Sequence, residues 1–354
     1  MSPQKIRVLI VDDSAFMRVL LKQVLESAGD IQVVGVARDG RDALAKAASL
    51  RPDVITLDVN MPHMDGLTTL HHLINTNPQT RVIMLSSWTK EGAETTLRAL
   101  ELGAIDFVAK PGSSSDPAVE ELKEEIIEKV RQAARARVSA RPVPTPPKSP
   151  SPFDWGPKVG GLQNLILMGT STGGPRTLSE ILSRLPGNLP AGIVIVQHMP
   201  PTFTASLAKR LDETCPVRVE EAAEGTLIEP GKAVIARGGY HIDFIADAGG
   251  EIRCRLTLEP STARFRPSVD VMFENAMKIY PPSRIIGVLL TGMGNDGARG
   301  MAELRRRGGY TIAESRETAT IWGMPRAAYE AGGVDELLPS HSIPDALLAR
   351  VVKK

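Results

Sequence analysis

The chain has 354 residues, more than one hydrophobic core usually organises, so two domains are expected. Lys and Arg number 42 against 41 Asp and Glu, which excludes a strong long-range pull toward nucleic acid or an anionic membrane, and two cysteines, Cys215 and Cys254, are too few for a disulfide scaffold and lack the spacing of a zinc site. The opening MSPQKIRVLIVDDS is interrupted by aspartates where a signal peptide needs an unbroken apolar stretch, and no run of about 18 apolar residues follows, so a cytoplasmic protein without membrane insertion is expected.

From the N-terminus, short β-branched runs alternate with longer amphipathic ones. Strands are expected at Ile6–Val11, Val33–Val36, Val54–Leu57, Val82–Leu85 and Phe107–Ala109, with helices at Ala15–Ala28, Asp42–Leu50, Gly66–Asn75, Gly92–Leu102 and Ala118–Arg137. Five apolar strands in strict alternation with helices predict a doubly wound parallel sheet of flavodoxin-like type over residues 1–125. From Ala133 to Gly161 the chain is crowded with Pro, Ser and basic residues and has no helical or strand period. With the end of the charged helix it forms a linker over 126–160, read as a spacer in preference to a docking segment built on Phe153 and Trp155.

After the linker the alternation restarts. Asn164–Met168, Gly192–Val196 and Ile285–Leu290 read as buried parallel strands, whereas Ala233–Ala236, His241–Ile245 and Ile252–Leu258 read as shorter strands or a hairpin turning through Asp247, Gly249 and Gly250. A second, larger α/β domain is expected over 161–352, mostly parallel and carrying a β-hairpin insertion.

Functional groups in open parallel sheets gather beyond the carboxyl ends of the strands. Asp12 and Asp13 follow the first strand, Asp58 the third, Ser86 and Ser87 the fourth, and Lys110 with Pro111 the fifth. Three carboxylates at one rim repel unless a hard cation such as Mg²⁺ sits among them, and an aspartate neutralised in this way can attack a phosphoryl donor. The ordered set VDDS, LDVNMPHMDG, SS and KP resembles the receiver domain of two-component response regulators. That resemblance implies Asp58 as phosphoacceptor, Asp12, Asp13, Asp58 and the main-chain carbonyl of Asn60 around Mg²⁺, and Ser86 and Lys110 on the phosphoryl group, with Ser87 the alternate for Ser86. Phe107 stands where the family carries a switching aromatic, a place a buried core aromatic fits equally.

In the second half, the strand LILM runs into Gly169-Thr170-Ser171-Thr172-Gly173-Gly174-Pro175, with helical spacing behind it. A serine at a strand-to-helix turn projects its hydroxyl from the sheet edge, where the helix N-terminus offers amide donors to an oxyanion. The loop has neither a Walker lysine nor the spaced glycines of a dinucleotide fingerprint. Of the histidines in this half, His198 ends the apolar run GIVIVQ and so shares the rim with Ser171. His241 sits between apolar residues and reads as structural, and His341 has no strand leading into it. Asp296, in the loop TGMGNDG after IIGVLL, is the acceptor that would orient His198, with Asp243 and Asp270 as runners-up. The order Ser171, His198, Asp296 is not that of α/β-hydrolases.

The motifs GTSTGG, VQHMPP, RPSVD, LTGMGNDGARGM and WGMPRAA are similar, in order, to the catalytic domain of chemotaxis protein-glutamate methylesterases. Thr170 stands where that family commonly has alanine. The resemblance implies Ser171 as nucleophile, His198 as general base and acid, Asp296 as its orienter, and oxyanion or pocket contacts at Thr172 and Met293, with no cofactor at the hydrolytic site. It further implies demethylation of glutamate esters and deamidation of glutamines on methyl-accepting chemoreceptors, under control of a sensor histidine kinase that phosphorylates Asp58. Two rival classes remain: a response regulator whose second domain only binds a ligand, and a transcriptional regulator, which the neutral charge and the lack of a short helix-turn-helix output domain disfavour.

Overall fold

A computed structural model describes residues 5–110, 118–137 and 162–352. Pro111, Phe153, Trp155 and residues 138–160 of the expected linker lie outside the described residues. The chain divides into two compact units, 1–141 and 142–354.

In the first unit, β1 (Ile6–Val11), β2 (Ile31–Ala37), β3 (Val54–Asp58), β4 (Val82–Ser86) and β5 (Asp106–Ala109) form a parallel sheet in the order β2-β1-β3-β4-β5. The helices α1 (Ala15–Ser27), α2 (Gly40–Leu50), α3 (Gly66–Thr76), α4 (Lys90–Leu102) and α5 (Ala118–Arg135) alternate with the strands. Every residue of β3 and β4 is buried, which is why both read as mostly apolar runs. Ser14, Asp39, Asp65 and Thr89 begin α1 to α4 by accepting a hydrogen bond from an amide of the first turn. Strand order reverses between β1 and β3, which opens a crevice at their carboxyl ends.

The second unit is built on seven parallel strands. Their order is β14 (Glu336–Leu338), β13 (Tyr310–Glu314), β12 (Ile285–Leu289), β6 (Asn164–Thr170), β7 (Ala191–Gln197), β9 (Lys232–Ile235), β8 (Arg218–Glu221). A separate antiparallel hairpin pairs β10 (His241–Ala246) with β11 (Ile252–Thr257). The expected hairpin is therefore present, but the run read as Ala233–Ala236 is a strand of the main sheet, parallel to β7. Strands β8, β13 and β14 were not expected. The edge strand β8 reads RVEE and buries one residue in full, and β14 has three residues, so neither carries a buried-strand pattern.

Helices α6 (Gly174–Leu182), α7 (Phe203–Thr214), α8 (Val269–Ile279), α9 (Ala298–Arg306), α10 (Met324–Glu330) and α11 (Ile343–Val352) complete this unit. Met272, Phe273 and Ala276 of α8 join Leu165, Val194, Leu289 and Phe244 in one buried cluster, so α8 is fixed against both the sheet and the hairpin. Here the order reverses between β6 and β12, again placing a crevice at the carboxyl ends.

Candidate active site

The crevice of the first unit holds the acidic group expected there. Asp12 and Asp58 are buried, Asp13 is exposed, and one carboxylate oxygen from each lies within 4.8 Å of the others. Lys110, which follows β5, places Nζ 2.8 Å from Asp12 and 2.7 Å from Asp58. One ammonium offsets one of three carboxylates, and the donor set is all hard oxygen, so the cluster is consistent with a Mg²⁺ site. Burial pushes the Asp58 carboxyl up to about 6, with Lys110 opposing and the charge of Asp12 adding to the rise.

The amide of Asn60 turns back to Asp58 Oδ1 at 3.4 Å. Ser86 closes β4 with a buried side chain, whereas the hydroxyl of Ser87 lies 3.1 Å from that of Thr89, the α4 cap. Phe107 is buried beneath Lys129 of α5, whose Nζ sits 5.0 Å from the ring centroid.

In the second unit the crevice collects Ser171 after β6, His198 after β7 and Asp296 after β12. Thr170 pairs with Gln197 across β6 and β7, and the His198 amide donates to the Thr170 carbonyl at 3.1 Å, so Ser171 and His198 are neighbours at adjacent strand ends. His198 Nε2 lies 2.8 Å from Asp296 Oδ2. An ionised carboxylate can only accept, so Nε2 carries the proton and Nδ1 presents a lone pair. That Nδ1 is buried and has no hydrogen-bond partner among the described residues. The imidazole stacks on Phe265, with centroids 4.2 Å apart and planes 15° from parallel.

Asp296 is itself held from the start of α8. The Ser268 hydroxyl donates to Oδ1 at 2.8 Å, the Asp270 amide to Oδ1 at 3.0 Å and the Val269 amide to Oδ2 at 2.7 Å. Burial pushes this carboxyl up, but the bond from His198, its charge and the two amides outweigh burial and hold it below the usual range. Gly169 lets α8 come so close: a Cβ there would stand 2.3 Å from Val269 Cγ1.

The nucleophile loop is clamped by Thr291, which immediately follows β12 and Leu290. Its carbonyl accepts the Ser171 amide at 2.9 Å and the Thr170 hydroxyl at 3.0 Å, and its own hydroxyl donates to the Thr172 carbonyl at 2.9 Å. The Ser171 amide is thus committed to the sheet and is not a donor to an oxyanion. Thr291 is held in turn by Glu314, a fully buried carboxylate at the end of β13 that accepts the Thr291 amide at 2.8 Å and the Thr318 hydroxyl at 2.9 Å. Burial pushes Glu314 up to about 7; the Thr291 and Thr318 bonds oppose the rise and the charge of Glu180 adds to it. Gln197 Nε2 bridges the carbonyls of Ser171 and His198 at 3.0 and 3.2 Å.

Thr172 is buried in the nucleophile loop, and Met293 is half-buried in the loop that carries Asp296. The runners-up have other partners. Asp243 pairs with Arg255 on the hairpin, and Asp270 accepts the Gly300 amide at 2.8 Å. The His341 carbonyl accepts Arg184. His241 is fully buried behind Asp296: its Nδ1 accepts the Ser268 amide at 3.2 Å, so it backs the residue that holds the aspartate.

Both halves match known families. Residues 8–120 match the response regulator receiver domain and residues 166–347 the CheB methylesterase. The protein-glutamate methylesterase/protein-glutamine glutaminase 2 of Carboxydothermus hydrogenoformans is 49% identical over 98% of this chain and 99% of its own. The protein-glutamate methylesterase/protein-glutamine glutaminase of Caldanaerobacter subterraneus subsp. tengcongensis is 46% identical over 98% of this chain and 97% of its own. Among solved structures, the Thermotoga maritima CheB methylesterase catalytic domain superposes with a TM-score of 0.51 at 43% identity, covering 54% of this chain and 99% of that one. The fold and the crevice residues define a response regulator with a hydrolase output. The chain belongs to the CheB methylesterase family, with a receiver domain preceding the methylesterase domain.

Proposed function

We propose that the chain hydrolyses glutamate methyl esters on chemoreceptors at Ser171, deamidates selected receptor glutamines by the same chemistry, and is switched on by phosphorylation of Asp58. The observation that carries the hydrolytic reading is the 2.8 Å bond from His198 to Asp296, which leaves a buried Nδ1, without a partner among the described residues, one strand end away from Ser171. That nitrogen takes the Ser171 proton as the hydroxyl oxygen attacks the ester carbonyl. The charge that develops on the carbonyl oxygen is met at Thr172, in the loop that leads into α6, with Met293 walling the pocket. Collapse of the tetrahedral adduct expels methanol, which takes its proton from His198, and leaves an acyl-enzyme. Water deprotonated by His198 then releases the glutamate. With a glutamine substrate the leaving group is ammonia. Asp296, held ionised by Ser268 and two amides, stabilises the imidazolium formed in each half-reaction.

In the first unit, Asp12, Asp13, Asp58 and the main-chain carbonyl of Asn60 would hold Mg²⁺. When bound, that ion offsets the charge of the carboxylates and of an incoming phosphoryl group. Asp58 accepts the phosphoryl group from a sensor histidine kinase, and Ser86 and Lys110 hold its oxygens, reading the reaction out at the second unit. A serine-directed acylating probe separates this reading from that of a mere binding domain. The probe is expected to label Ser171 in the wild type and to leave Ser171→Ala unmodified. Absence of labelling in the wild type would overturn the nucleophile.

A further inference from the structure

Most arginines of the second unit are matched by acids. Arg184, Arg253, Arg299, Arg305 and Arg326 each hold a carboxylate at 2.6 to 3.1 Å. Three that lie together are not. Arg237, Arg264 and Arg266 make no ion pair among the described residues, and they come from two loops that meet beside His198.

Their convergence is fixed by backbone contacts. The Gly239 amide donates to the Arg266 carbonyl at 3.0 Å, joining the loop after β9 to the loop before α8. Gly238 packs against the loop after His198 so tightly that a Cβ would lie 2.4 Å from Pro201 N. Arg237 lies 5.5 Å over the Tyr240 ring, and Arg264 lies 5.3 Å over Phe265, the ring that stacks on His198. Arg237 and Arg264 are exposed, and Tyr240 is 36% exposed. Arg266 is half-buried, and its Nε is buried with no partner among the described residues. Nearby carboxylates are engaged otherwise: Glu221 takes the Thr204 hydroxyl at 2.6 Å and Glu259 the Ser261 amide at 2.9 Å.

Two touching loops thus bring three arginines to one side of the crevice, and a chain of net charge +1 has no general excess that would scatter them here. Arginine forks bind carboxylates in a bidentate manner, and stacking on an aromatic plane reduces the freedom lost on binding. We propose that Arg237, Arg264 and Arg266, seated on Tyr240 and Phe265, dock the acidic peptide segment that carries the substrate ester. This rests on the hydrolase reading above and extends it to the choice of substrate. The ester side chain is neutral, so discrimination falls on its neighbours. Free glutamates, the very product of the reaction, fit the arginines, whereas glutamines at the same positions do not.

The test uses the full chain and two peptides, each bearing one glutamate methyl ester flanked by either glutamates or glutamines. At about 20 mM salt the wild type is expected to show a KM about tenfold lower for the glutamate-flanked peptide, a gap that closes by about 0.5 M salt. R237Q/R264Q is expected to lose the preference through KM, with kcat and the hydrolysis of a small neutral aryl ester retained, which also shows that the variant is folded. Equal KM values for the two peptides in the wild type, or a preference that survives in the double variant, overturns the docking surface. So does binding to anionic lipid vesicles without a peptide preference, which reassigns the patch to lipid headgroups. Methanol from neither peptide and from no methylated receptor membrane sinks the hydrolase reading itself, and the docking surface with it.

Discussion

At the scale of single residues, a site group was legible where strand and motif both pointed to it. His198 stood out from His241 because an apolar run delivers it to the rim, and the structure joins it to Asp296 in preference to Asp243 or Asp270. Glu314, Thr291, Ser268 and Phe265 left no such mark. A glutamate at the end of YTIAE reads as the polar terminus of a strand, and nothing local tells that its partner is an amide 23 residues earlier, beneath the nucleophile. Glu314 also makes a pH prediction.

Its carboxyl is pushed by burial from an ordinary value of 4.5 up to about 7. Between those values the folded chain keeps a proton that the unfolded chain has lost. The contribution to stability is therefore full at and below pH 4.5, lost as pH rises to about 7, and flat above. Glu314→Gln does not titrate. Its melting temperature relative to wild type is expected to be more favourable at about pH 8 than at about pH 5. The amide it points at Thr318 imposes a cost that is the same at both. A pH-independent difference would contradict the raised carboxyl.

At the scale of elements, the sequence conveyed most strands whose faces are both buried, although β13, with four of its five residues buried, was not among them. It failed for edge strands, whose half-solvated faces look like loops. β8 and β14 escaped for that reason, and β9 was visible as a strand but not as a neighbour of β7, because four apolar residues carry no information about direction of pairing. The approach of α8 to β6 was equally hidden, although a single glycine licenses it. Gly169→Ala sets a methyl group 2.3 Å from Val269 Cγ1, in the residue whose amide holds Asp296. The expected result is a loss of about 1–3 kcal/mol in a denaturant melt together with slower ester hydrolysis, since the same displacement strains the packing and releases the aspartate. An unchanged melt with unchanged hydrolysis would show that the contact does not govern the site.

At the scale of the whole molecule, two α/β units each carry their chemistry at the point where strand order reverses. The first gathers Asp12, Asp58 and Lys110, and the second Ser171, His198 and Asp296. Among the described residues no helix is long and apolar enough to cross a membrane. In the proposed function, activity at the second rim depends on phosphorylation at the first. Phosphorylation adds charge of about −1.5 to −2 at a crevice that already holds three carboxylates, and a change of that size is able to bias a two-state protein.

Methanol release from methylated receptor membranes measures that dependence directly, using wild type, Ser171→Ala and Asp58→Asn, each with and without a small phosphodonor and Mg²⁺. Release is expected to require Ser171, to rise with phosphodonor in the wild type, and to remain at the basal level in Asp58→Asn. Release that persists in Ser171→Ala, or a phosphodonor response that persists in Asp58→Asn, would contradict the account.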